Sequence, residues 1–174
     1  MPTVKACTLP AKALLEKYVG NGIYTDCYRA EICGTVSQAQ YVTAFYTTWI
    51  FKIERAILKW VVAKPSTDDQ ASQLADGCID KFAAWQVEDS CDNQLLLSDF
   101  RGRTRSWFMI LPAGSDSAQT SLYFGSAVIP VTDPDRGNIT AGRGYQALLG
   151  FHKLYSRVLL YSARLRLLRQ RREI

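Results

Sequence analysis

From Tyr145 onward the apolar residues Leu148, Leu149, Phe151, Tyr155, Val158, Leu159 and Leu165 recur at three- and four-residue steps for over 20 residues. A helix of that length needs an apolar surface to lie on. The preceding chain supplies one, because its period changes to two in four stretches: Phe82–Glu88, Gln94–Phe100, Thr104–Leu111 and Ser121–Val131. Turn residues separate them at 89–93, at Arg101-Gly102-Arg103, and between Pro112 and Gln119. Strands joined by short links make an antiparallel meander. The expected class is α+β, an antiparallel sheet wrapped around a long C-terminal helix.

Upstream, residues 10–19 read as a short helix closed by Gly20-Asn21-Gly22, and Tyr24 to Val36 as a strand rich in β-branched and aromatic residues. Ser37 is a good N-cap for a helix over Gln38–Ala63, bent near Thr47-Thr48 and ended by Lys64-Pro65. Ser66-Thr67-Asp68-Asp69 caps a second, short helix that runs to about Ala75 and stops at Gly77. Asp133 to Gly144, with one proline and three glycines, reads as a loop. No repeat and no second core is visible, so residues 1–174 are expected to form a single domain.

Composition narrows the partners. No run approaches the roughly 18 apolar residues that span a bilayer, and residues 1–7 lack an apolar signal-peptide core, so a soluble cytoplasmic protein is expected. Five cysteines are scattered without a Cys-x-x-Cys pair and His152 is the one histidine, which favours reduced thiols and no metal or other cofactor. The net charge of +5 rests on five arginines in the last eleven residues, Arg164, Arg166, Arg169, Arg171 and Arg172. Without a broad basic face interleaved with aromatics, this reads as a solvated helix end, and no nucleic-acid partner is expected.

The order strand, two helices, antiparallel strands, long final helix resembles the START-like helix-grip superfamily, which includes polyketide cyclases and plant lipid-binding allergens. Two segments sharpen the likeness: YTDCYRAEI over Tyr24–Ile32 followed by Ala44-Phe45-Tyr46-Thr47, and YQALLGFHKLYSR over Tyr145–Arg157. They resemble a family of bacterial domains of unknown function, found alone or fused behind a short-chain-dehydrogenase-like domain. The resemblance implies a sheet that grips its last helix around a ligand cavity.

The expected function is binding of a small hydrophobic or amphipathic molecule in that cavity. Phe45, Trp49, Trp85, Trp107 and Tyr123 are the expected wall residues. Arg105, or its neighbour Arg103, would receive an anionic or carbonyl end, although a hairpin turn whose arginines pair with Asp99 explains that cluster too. His152 and Tyr155 would offer hydrogen bonds. An enzyme of the cyclase or hydrolase kind is the alternative, with His152 oriented by Asp26, Asp99 or Asp133 as general base. A protein-interaction module partnering an oxidoreductase is a third reading, and a homodimer through an exposed apolar patch belongs with it.

Overall fold

The structure, a computed structural model, describes residues 4–20, 22–53, 55, 66–113, 119–130, 132–133, 137–138 and 143–171, with the side chains of the final helix described from His152. Its sheet comprises β1 (Lys5–Ala6), β2 (Tyr24–Cys33), β3 (Lys81–Phe82), β4 (Trp85–Cys91), β5 (Gln94–Asp99), β6 (Thr104–Pro112) and β7 (Gln119–Val128). These seven strands form one open sheet in the order β1-β2-β7-β6-β5-β4-β3, antiparallel at every step. The meander predicted by the turn chemistry is β4 to β7, and the expected strand Phe82–Glu88 is broken at Ala83-Ala84, where the chain turns from β3 into β4. β2 returns to pair with β7 along its whole length, from Tyr24 opposite Val128 to Cys33 opposite Gln119. Asp99 organises the β5–β6 turn through backbone rather than guanidinium groups: its carboxylate accepts from the N–H of Arg103 at 2.6 Å and of Thr104 at 3.0 Å. Within the stretch expected to be a loop, β8 (Thr132–Asp133) and β9 (Gly137–Asn138) form a separate hairpin.

The helices whose bounds lie among the described residues are α1 (Gln38–Tyr46), α2 (Asp68–Ala75) and α3 (Arg143–Gln170), in that order. Ser37 caps α1 as predicted, in a reciprocal box with Gln40, and Thr67 caps α2 in the same way with Gln70. The predicted bend is real. Thr47 and Thr48 turn their hydroxyls onto the carbonyls of Thr43 and Phe45, at 2.7 and 2.9 Å, and the chain is helical again over 49–53. The expected end at Lys64-Pro65 lies outside the described residues.

Alternation along the strands sorts the apolar residues into two cores. On the inner face Tyr28, Ile32, Leu95, Leu97, Phe108 and Phe124 pack against Tyr41 and Phe45 of α1 and against Leu159, Leu160 and Leu167 of α3. On the outer face Cys27, Leu96, Trp107, Met109, Tyr123 and Ala127 are covered by the N-terminal segment, whose 3₁₀ helix (Leu14–Tyr18) inserts Leu15. Each fully buried Leu or Phe contributes about 1.5–3 kcal/mol. Both faces of the sheet are therefore needed to hold it.

The basic end of α3 departs in part from the expected solvated tail: Arg169 and Arg171 are exposed, but two of the arginines are anchored to backbone carbonyls. Arg164, buried, donates through Nε to the Glu31 carbonyl at 2.7 Å, and Arg171 donates to the carbonyls of Cys33 and Thr35. These carbonyls close β2 and the turn after it, so the arginines fasten the last helix to the strand that completes the sheet. Gly34, with φ of 84°, leaves the space that the Arg171 guanidinium fills.

Candidate functional site

A pocket of about 180 Å³ opens between the inner face of the sheet and the middle of α3. Phe45, Tyr46 and Phe51 form one wall and Trp85 and Phe124 another, while His152, Tyr155, Ser156 and Leu159 project from α3. Thr104, Arg105 and Ser106 of β6 complete it. The walls are mainly aromatic, as a site for an apolar molecule requires. One donor among them is unspent: the buried indole N–H of Trp85 has no hydrogen-bond acceptor among the described residues.

At one end of the pocket sits a three-residue chain of hydrogen bonds. Asp26 on β2 and Ser126 on β7 face each other in register on the inner face. Ser126 donates its backbone N–H to Asp26 Oδ1 at 3.1 Å and its hydroxyl to the same oxygen at 2.5 Å. Tyr24 OH donates to Oδ2 at 3.0 Å. His152 Nε2 then lies 2.6 Å from Ser126 Oγ. A hydroxyl has one proton, and here the carboxylate takes it. Ser126 Oγ must accept from Nε2–H, which makes Nδ1 the acceptor nitrogen of a neutral ring. Burial holds the His152 imidazole below its ordinary value, and the Asp26 charge only partly offsets this. Tyr28, next along the same face, is pushed up to about 12 by burial and then by the Asp26 charge, so its phenol stays protonated.

Of the residues expected to make the site, Phe45, Trp85, Arg105, His152 and Tyr155 border this pocket. Trp107 and Tyr123 do not: they are buried in the outer core, one step out of phase with Phe108 and Phe124. Trp49 stands 69 % exposed, beyond the bend that ends α1. Arg105 shares the Trp107 face, and its guanidinium is spent there. It pairs with Glu88 and donates to Tyr18 OH at 2.9 Å, while Lys17 reaches Glu88 at 2.9 Å. Burial alone would raise the Glu88 carboxyl, but Tyr18, Lys17 and Arg105 outweigh it and hold it below the usual range. Arg105 is thus part of an ion cluster that fastens the N-terminal segment, and it does not offer its charge to a ligand. Arg103 is exposed in the turn.

The residues missed were Ser126, Ser106 and Ser156, which are buried, together with Tyr46 and Phe51. Ser126 carried a faint signal, a hydroxyl between the apolar inner positions Leu122, Phe124 and Val128 of the strand. Among the described residues no group of His, Cys, Asp and Glu could hold a metal ion, and no helix is long and apolar enough to cross a membrane. Compared with known proteins, the chain matches no family model, no curated protein and no solved structure.

Proposed function

We propose that this chain binds a small apolar molecule carrying one hydrogen-bond acceptor in the pocket between its sheet and its last helix. The observation that carries this reading is the aromatic-walled pocket, one of whose wall residues, Trp85, has a buried indole N–H without an acceptor among the described residues. A buried donor without a partner costs roughly 1–3 kcal/mol, which a ligand carbonyl or ether oxygen would recover. Size sets the class. A cavity of about 150 Å³ accommodates benzene, so about 180 Å³ suits a single-ring compound with a short polar substituent. The strand order and the helix laid across the sheet support the START-like reading of residues 1–174 as one helix-grip domain.

The test is calorimetric titration with acetophenone, whose ring fits the aromatic wall and whose carbonyl suits Trp85. Saturable one-to-one binding is expected, and it should vanish when Leu159→Trp fills the pocket. Heats that do not saturate, or that persist in a folded Leu159→Trp variant, would sink the proposal.

The chain from Asp26 through Ser126 to His152 favours a second reading, an enzyme that moves a proton on such a ligand. His152 Nδ1 would take a C–H proton next to the carbonyl and return it, with the relay steadying the imidazolium. The same ketone discriminates the two readings. In D2O an enzyme speeds exchange of its methyl hydrogens and loses that ability as His152→Gln, whereas a simple binder leaves the exchange rate unchanged.

A further inference from the structure

We infer that Cys7 and Cys27 are a peroxide-oxidisable dithiol, a modification site that closes into a disulfide and staples the N-terminal segment to the sheet. β1 pairs with β2 through Lys5 opposite Arg29 and Ala6 opposite Tyr28, and one further step sets Cys7 opposite Cys27. The backbone continues that pairing, with Cys7 N–H donating to the Cys27 carbonyl at 3.0 Å. Both side chains take the outer face, where the Cys7 thiol lies 3.4 Å from the Cys27 sulfur. Directly opposed residues of an antiparallel pair have Cα atoms about 4.5–5.5 Å apart, inside the range a disulfide bridges. Closure to about 2.05 Å needs only a small side-chain rotation. The pair is also asymmetric in the useful sense. Cys7 is partly exposed and Cys27 is buried. The hydrogen bond from Cys27, then the charge of Arg29, favour the Cys7 thiolate against the opposing effect of burial, while the Cys27 thiol is pushed up. Cys33, Cys78 and Cys91 are exposed thiols.

The chemistry balances with a hydroperoxide as oxidant. The Cys7 thiolate attacks the peroxide and the O–O bond breaks; the alkoxide or hydroxide that leaves takes up from water the equivalent of the proton the Cys7 thiol had released, so the products are a Cys7 sulfenic acid and an alcohol, or water when the oxidant is hydrogen peroxide. Cys27 sulfur then attacks the Cys7 sulfur and the S–O bond breaks. The hydroxide that leaves takes up the Cys27 proton as water. Two thiols lose two electrons to one peroxide. The bond closes a loop of about twenty residues that contains the 3₁₀ helix and Leu15. Reducing the freedom of that loop in the unfolded chain raises stability.

Hydrogen peroxide in small molar excess over the purified full chain, followed by alkylation and peptide mapping, tests this. The expected product is a Cys7–Cys27 linked peptide, 2 mass units below the sum of the two thiol peptides and reversed by dithiothreitol. It should form at no more than a tenth of the peroxide needed to modify Cys33, Cys78 or Cys91. The melting temperature should rise by roughly 5–10 °C on oxidation, and should not rise in Cys7→Ser. A variant with Cys33, Cys78 and Cys91 all changed to Ser should behave like the wild type. Cys7 converted to sulfinic acid without a link, or links formed only through the exposed cysteines, would overturn the inference.

Discussion

Ser126 gives both its backbone N–H and its hydroxyl to a single oxygen of Asp26, directly across the β2–β7 ladder. That double donation fixes the direction of the serine proton and hence the tautomer of His152 behind it. The polar end of the pocket is therefore set by strand register, before any ligand arrives. Because the two residues are 100 positions apart, any slip between β2 and β7 dissolves the relay.

The relay gives a pH dependence of known sign. The folded state holds the His152 imidazole below its ordinary value, chiefly by burial, so the unfolded chain takes up a proton first as the pH falls. Stability from this group is complete above the unfolded value of about 6.5 and is lost as the pH drops through the folded value. Urea unfolding at pH 7.5, 6.5 and 5.5 should show a midpoint that falls more steeply for the wild type than for His152→Gln, which keeps an N–H toward Ser126. Parallel pH profiles for the two proteins would contradict the buried neutral ring.

Gln94 is the second fastening of the outer face. Its Oε1 accepts from the Leu14 N–H and from the Trp107 indole, both at 2.9 Å, and its Nε2 donates to the Lys12 carbonyl at 3.1 Å. Changing Gln94 to Leu leaves two buried donors without acceptors, at about 1–3 kcal/mol each before relaxation. A loss of roughly 2–4 kcal/mol is expected in urea unfolding at pH 7. The N-terminal segment should also become sensitive to limited proteolysis between Lys12 and Lys17, and a variant as resistant as the wild type would show that the amide is dispensable.

What the sequence disclosed, and what it did not, follows from range. Period two along β4 to β7, the cap at Ser37, a cap within Ser66–Asp69 and the bend at Thr47-Thr48 are local, and each appears in the structure. Which face of β6 meets α3 is not local. Arg105 and Trp107 share one face of β6, and that face is the outer one, covered by a segment whose packing is decided by Leu15 and Gln94. Trp107 is therefore core, although its composition suggested a pocket wall. Asp26 was one of three carboxylates considered for His152, and only the register of β2 against β7 selects it and supplies Ser126 as the link.

Gly125 is where the two layers touch most closely. A Cβ there would lie 2.8 Å from Leu15 Cδ2 and 2.9 Å from both the Asp26 carbonyl oxygen and Trp107 Cε3. Two of those atoms belong to backbone or to a buried ring, so the strain cannot be relieved by one flexible side chain. Gly125→Ala should cost about 1–3 kcal/mol. Adding Leu15→Ala removes one of the three contacts, so the double variant should lose less than the two single losses added together. Strict additivity in that cycle would mean that Leu15 does not seat against Gly125.

Trp85 separates the cost of an empty site from the benefit of a filled one. Its indole N–H is buried and has no acceptor among the described residues, so Trp85→Phe removes a desolvated donor together with some packing area. The two effects oppose each other, and the change in unfolding free energy should stay within about 1 kcal/mol. In the complex the indole would donate to the ligand oxygen, and a neutral hydrogen bond of about 1 kcal/mol converts to roughly a five- to tenfold weaker Kd for acetophenone when it is lost. Titration of Trp85→Phe with ethylbenzene, which has no acceptor, should give the same Kd as the wild type. If both compounds weaken equally, the indole serves only as wall, and the ligand class widens to molecules without an acceptor.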